Sequence, residues 1–251
     1  MLALDFRDVQ VVLLDIEGTT TPIEFVHRTL FGYAHEHLRQ FLESHRSDPE
    51  VRECVNALKA QRDLDEKEKL TPPAWTGANS ESDTVSAARY GLWLIDRDSK
   101  AAPLKTLQGL IWQEGYRSGK LQGQVYPDVP RSFERWRQQR KAIAIYSSGS
   151  ELAQRLLFST TEFGDLTKYV SNFFDTRVGA KASSGSYRRI ASLIGRPENE
   201  FLFLSDAAAE IRAARSAGLR TALVLRESAN SSDAALQQED AVIRSFDEVD
   251  K

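Results

Sequence analysis

One cysteine, Cys54, in 251 residues leaves no partner for an internal disulfide and too few thiols for a zinc cluster. Long apolar runs are absent too: VVLL from Val11 and TALVL from Thr221 are far too short to cross a bilayer. Met1 to Gln10 has no basic start followed by an apolar segment, so no secretory leader is expected and a cytoplasmic location is. Nor is there any surplus of positive charge. With 33 Lys and Arg against 36 Asp and Glu, a net charge of -3 and a pI near 5.9, broad electrostatic binding to nucleic acid or to an anionic membrane has no basis. Repeats and low-complexity tracts are likewise missing.

What is present is globular material, 41% apolar and 27% charged, over a length that admits one large domain or a domain with an insert. Val11 to Leu14 is a continuous apolar run ending at Asp15, the pattern of a strand covered on both faces. From Ile23 to Leu42 apolar residues recur at three- and four-residue intervals, which predicts a helix with Pro22 at its start. Further helices are expected over 49–62, 82–95 and 104–116, with a loop around TPPAWTG. RSGKLQGQVYPDVP, rich in glycine and proline, reads as the return crossing. Thereafter short apolar runs (AIAIY, VSNFF, FLFL, TALVL) alternate with helical stretches near 151–158, 187–194 and 207–217. The closing AVIRSFDEV suggests an edge strand, and RESANSSDAA a mobile surface loop. Such alternation specifies α/β architecture: a doubly wound parallel sheet, residues 1–21 and 125–251, carrying an all-helical insert at 22–124.

Ligands of such sheets sit beyond the carboxyl ends of the strands. Those ends read Asp15-Ile16-Glu17-Gly18-Thr19, Ser147-Ser148-Gly149-Ser150 and Ser205-Asp206, and Lys181 lies in the loop after VSNFFDT. Asp15 and Asp206 repel one another unless a cation lies between them, and magnesium favours one or two carboxylates with waters and phosphate oxygens. Ser147 or Ser148, nearby backbone N–H groups and Lys181 then suit the remaining oxygens of a phosphate. With its charge screened, Asp15 can attack phosphorus, and Glu17 is in reach to protonate the leaving oxygen and later to deprotonate water. Each residue alone has a plainer reading, as turn former or surface side chain; the joint placement carries the inference. His35 and His37 are two apart and do not form the HExxH zinc pattern.

Asp15, Ser147, Lys181 and Asp206 resemble the successive motifs of the haloacid dehalogenase superfamily. More narrowly, DIEGTT, IYSSGSELAQRLLF, FFDTRVGAKASSGSYRRIA and FLFLSDAAAEIRAA resemble its enolase-phosphatase E1 branch, over most of the chain. The resemblance implies a small phosphorylated substrate, 2,3-diketo-5-methylthiopentyl 1-phosphate, which is enolised and then dephosphorylated to the acireductone 1,2-dihydroxy-3-keto-5-methylthiopentene in methionine salvage. It also implies a helical cap at 22–124, magnesium held by Asp15, Asp206 and the Glu17 backbone carbonyl, substrate held by Ser147, Ser148 and Lys181, and a cytoplasmic monomer. Two features depart from the broad superfamily: Glu17 stands where many members have Asp, and SDAAAE lacks the GDxxxD pattern, leaving Glu210 as a supporting candidate. A phosphatase or phosphomutase for another small sugar phosphate is the alternative on the same fold. A metal-independent dehalogenase would survive chelation, and a receiver domain places its acids in a different order.

Overall fold

The computed structural model describes residues 8–76, 80–226 and 241–249. Two compact units divide the chain: Val26–Leu121, and Met1–Phe25 joined with Gln122–Lys251. The described elements of the Val26–Leu121 unit are helices: α1 (Phe31–Ser44), α2 (Pro49–Lys67), α3 (Ser80–Ile95) and α4 (Ala102–Arg117). The expected helix from Ile23 is there but not uniform, because Phe25–Leu30 winds as a wider π-helical segment before α1. At its end Leu30 O accepts a hydrogen bond from Trp112 Nε1 of α4 at 2.8 Å, a partner outside its own helix. Ala34, Leu38, Phe41 and Leu42 form the buried stripe of α1. Asp48 caps α2 by accepting from Glu50 N at 2.9 Å, and Pro49 occupies the first turn, where no N–H is needed. His35 and His37 do face different partners: His35 lies 3.4 Å from Asp96, whereas His37 stacks on Tyr33.

The second unit contains a six-stranded parallel sheet of β1 (Val11–Leu14), β2 (Ala142–Tyr146), β3 (Asn172–Phe174), β4 (Phe201–Ser205), β5 (Arg220–Val224) and β6 (Val242–Ile243). The order is β3-β2-β1-β4-β5-β6, with β1 between β2 and β4. Helices α5 (Asp128–Gln138), α6 (Glu151–Ser159), α7 (Ser184–Ile194) and α8 (Ala208–Ser216) complete it. Alternate residues of each strand serve opposite faces. Val11, Leu13, Ala144, Tyr146, Phe201 and Phe203 pack in one cluster with Tyr187 and Ile190 of α7 and Ile211 and Ala214 of α8. The intervening Val12, Leu14, Ile143, Ile145, Leu202 and Leu204 are just as buried. Their side is served by α5 and α6, whose Phe133 and Phe158 rings stand 6.1 Å apart, while Trp136 of α5 lies 5.4 Å from Phe246. This two-sided covering is the doubly wound architecture expected from the alternation.

Three details correct the sequence reading. The return crossing ends in a helix, α5, already at Asp128, and that helix was not foreseen. The VSNFF strand starts only at Asn172. Of RESANSSDAA, Arg226 is buried rather than part of a surface loop, and the rest lies outside the described residues.

Candidate active site

All strands run parallel, so their carboxyl ends share one edge, and the polar residues fall there by construction. Asp15 follows β1 directly and is 5% exposed. Its Oδ1 accepts from Ile16 N at 2.7 Å and from Lys181 Nζ at 2.5 Å, and its Oδ2 faces Ser205 Oγ at 3.1 Å. Lys181 also reaches Glu210 Oε2 at 2.7 Å, and Ser205 Oγ stands 3.0 Å from that same oxygen. The Ser205 hydroxyl has one proton to give, so it serves Asp15 or Glu210 in turn, while accepting from Ala207 N at 3.1 Å.

The turn after Asp15 is closed by backbone bonds from Thr19, Thr20 and Thr21 N–H to Ile16 O and by a bridge between Glu17 and Thr21. Gly18 adopts φ +64°, and a Cβ there would stand 2.6 Å from Asp206 Cγ with a carboxylate oxygen nearer still. Only glycine lets the turn approach Asp206 this closely. Thr19 Oγ1 accepts from Asp206 N at 3.0 Å, tying the turn to the end of β4.

The Lys181 loop is held by hydroxyls on three successive carbonyls. Tyr146 donates to Gly179 O at 2.9 Å, Ser186 to Ala180 O at 2.7 Å and Tyr187 to Lys181 O at 2.7 Å. The ammonium itself is thereby aimed at the carboxylates. Ser147 and Ser148 follow β2, the neighbour of β1, at the same edge; Ser147 Oγ accepts from Gly149 N at 3.2 Å, and Ser150 caps α6.

Electrostatics follow from this crowding. Burial pushes Asp206 up to about 7, helped by the charge of Asp15 and, more weakly, by Glu210 and Glu17, with Lys181 opposing. Burial and the Asp15 charge likewise raise Glu210, against Lys181 and Ser205. Burial pulls the Lys181 ammonium down, but Asp15 and Glu210 outweigh it and hold the lysine above its ordinary value. Thus Asp15, Lys181, Asp206 and, through its charge, Glu17 occupy one neighbourhood. Glu210, Ser205 and Thr19 also belong to it. The trace of Glu210 in the sequence was the four-residue spacing in SDAAAE, which places both acids at the start of one helix.

A buried carboxylate raised by the charge of a second one beside it, as Asp206 is by burial and by Asp15, marks a cation site in waiting. Among the described residues no group of three or more His, Cys, Asp and Glu forms a metal cage. Asp15 and Asp206 offer oxygen donors, which suit a hard ion that keeps most of its shell as water and phosphate oxygen.

A family model described as haloacid dehalogenase-like hydrolase matches residues 9–218. Enolase-phosphatase E1 of Synechococcus elongatus is 43% identical over 242 residues, covering 96% of this chain and 98% of that protein. Enolase-phosphatase E1 of Drosophila pseudoobscura pseudoobscura is 46% identical over 223 residues, covering 88% of this chain and 86% of its own length. The crystal structure of the UTR4 protein of Saccharomyces cerevisiae superposes with a TM-score of 0.74 at 32% identity, covering 95% of this chain and 98% of that one. CbbY of Rhodobacter sphaeroides, solved with xylulose-(1,5)bisphosphate, shares the fold at a TM-score of 0.54 and 15% identity over 95% of each chain.

Proposed function

Because the chain belongs to the haloacid dehalogenase-like hydrolases, among their enolase-phosphatase E1 members, we propose that it enolises and then dephosphorylates 2,3-diketo-5-methylthiopentyl 1-phosphate. The product is the acireductone 1,2-dihydroxy-3-keto-5-methylthiopentene, a step of methionine salvage. The observation that carries the phosphatase reading is the Lys181 ammonium shared between Asp15 and Glu210 at the sheet edge, with Asp206 beside them.

Asp15 is the nucleophile. Its carboxylate oxygen forms a bond to phosphorus as the bond from phosphorus to the substrate oxygen breaks, giving an aspartyl phosphate. Glu17 gives a proton to the departing oxygen and then takes one from the water that cleaves the acyl phosphate, which releases phosphate and restores Asp15. Lys181 offsets the phosphate charge, and Glu210 keeps the ammonium in place while Asp15 is esterified. Ser147 and Ser148 hold the other phosphate oxygens. Asp15, Asp206 and the Glu17 backbone carbonyl would hold magnesium, which would supply charge neutralisation at the phosphoryl group. The Val26–Leu121 unit is the cap, and the protein is a cytoplasmic monomer; among the described residues no helix is long and apolar enough to cross a membrane.

The test offers the diketone phosphate with magnesium and follows both free phosphate and the ultraviolet absorbance of the enediol. Both signals are expected, and Asp15→Asn abolishes phosphate release with the fold intact. Phosphate from many sugar phosphates but none from this compound refutes the substrate assignment.

A further inference from the structure

One buried cation in the α/β unit is not used by the chemistry above. Arg226 stands two residues beyond β5, at the edge where Asp15 lies, and is 6% exposed. Every nitrogen of its guanidinium donates. Nε and Nη2 both donate to Thr19 O, at 3.1 and 2.6 Å. Nη1 donates to Asp128 Oδ2 at 2.6 Å and to Arg244 O at 3.3 Å. Tyr126 and Phe246 lie against the guanidinium, with ring centroids 4.2 and 4.7 Å away. Asp128 in turn accepts from Phe246 N at 2.6 Å and Ser245 Oγ at 3.0 Å.

A buried ion pair is a poor device for stability alone, since its desolvation cost offsets much of the attraction. What this pair grips is more telling. Thr19 belongs to the turn that carries Asp15 and Glu17, and its hydroxyl accepts from Asp206 N. Arg226 therefore fixes the carbonyl of the residue whose side chain fixes Asp206. Tyr126, against the same guanidinium, donates its N–H to Thr20 O at 2.9 Å. A planar fork whose Nε and Nη2 donors converge on one oxygen fixes the place of that carbonyl more tightly than a lysine point charge does.

We infer that Arg226 is a positioning residue for the phosphoryl-transfer site: through Thr19 it holds the Asp15–Glu17 turn in register with Asp206. This inference rests on the hydrolase reading above, and the wild-type enzyme separates the two. A wild type that releases no phosphate refutes that reading, whereas only the variants below bear on Arg226.

The experiment compares Arg226→Lys, Ser245→Ala and wild type by kcat, KM and thermal melting. Arg226→Lys keeps the charge beside Asp128 but loses the fork. It is expected to fold, to lose at least tenfold in kcat, and to keep KM within threefold. Ser245→Ala loosens the tie between Asp128 and the turn at Phe246–Glu248 while leaving Arg226 on Thr19; it melts earlier yet keeps kcat within twofold. Should Arg226→Lys not fold, the double variant Arg226→Met with Asp128→Asn removes the pair without stranding a charge, retains an acceptor for Phe246 N, and carries the same expected loss of kcat. Wild-type kcat in whichever of these folds, or an equal loss in Ser245→Ala, overturns the inference.

Discussion

Gly18→Ala is the sharpest single perturbation of the proposed site. The backbone at Gly18 sits at φ +64°, where any L side chain is strained by about 1 kcal/mol. For a chain of this size that lowers the melting temperature by about 3 °C. The greater effect is geometric. The new methyl would lie 2.6 Å from Asp206 Cγ, with a carboxylate oxygen nearer still, whereas ordinary contact begins at 3.4 Å, so Cγ must retreat by about 0.8 Å and the nearer oxygen by more. Asp206 is a short side chain at the end of β4 and can swing, so the fold survives. A misplacement of about an ångström among reacting groups costs about 100-fold in rate, and that is the expected loss of kcat. Gly195→Ala is the control, because Gly195 has φ +75° at the end of α7 and nothing within 4 Å of an added Cβ. Both variants should show similar small losses in melting temperature by circular dichroism, but only Gly18→Ala should lose phosphate release. Equal kcat values for the two would refute the close approach of the Asp15 turn to Asp206.

Other outcomes follow from the same geometry. Lys181→Met leaves Asp15 and Glu210 buried without their cation and should cost about 3 kcal/mol in a urea melt and at least about 100-fold in kcat. Because Asp206 is raised to about 7 from the ordinary 3.8, the folded protein binds more protons than the unfolded chain between those values; the metal-free protein should therefore lose stability as pH rises from about 4 to about 7, and Asp206→Asn should flatten that slope. Chelation followed by magnesium titration should abolish and restore phosphate release, and activity that persists in excess chelator would exclude the metal site. Arg131→Ala breaks a half-exposed pair with Asp247 and should change stability by less than about 1 kcal/mol with kcat untouched.

The sheet was legible because its strands are unmixed. VVLL, AIAIY and FLFL are apolar throughout, as burial on both faces requires, and each stops at a polar residue that marks the ligand edge. Helix α5 was hidden for the opposite reason. Its sequence DVPRSFERWRQ is mostly charged or polar, and only Val129, Phe133 and Trp136 among its larger residues turn inward, so it reads as a loop unless its period is followed. Asp15, Glu17, Lys181 and Asp206 stand out in the sequence because polar chemistry and strand ends or the loops after them coincide there. Arg226 was missed since its importance depends on Thr19 and Asp128, residues far away in sequence, and an arginine opening a serine-rich stretch looks solvated. The π-helical segment at Phe25–Leu30 leaves no trace in apolar spacing, and its last carbonyl, Leu30 O, is bonded to Trp112, far away in sequence.

The central place of β1 has a consequence for synthesis. Its two hydrogen-bonding neighbours, β2 and β4, are both encoded after the helical unit, so the strand that ends at Asp15 leaves the ribosome long before either arrives. In the nascent chain VVLL is an unpaired aliphatic edge awaiting remote partners, which favours slow maturation and exposes it to capture by chaperones or by other growing chains.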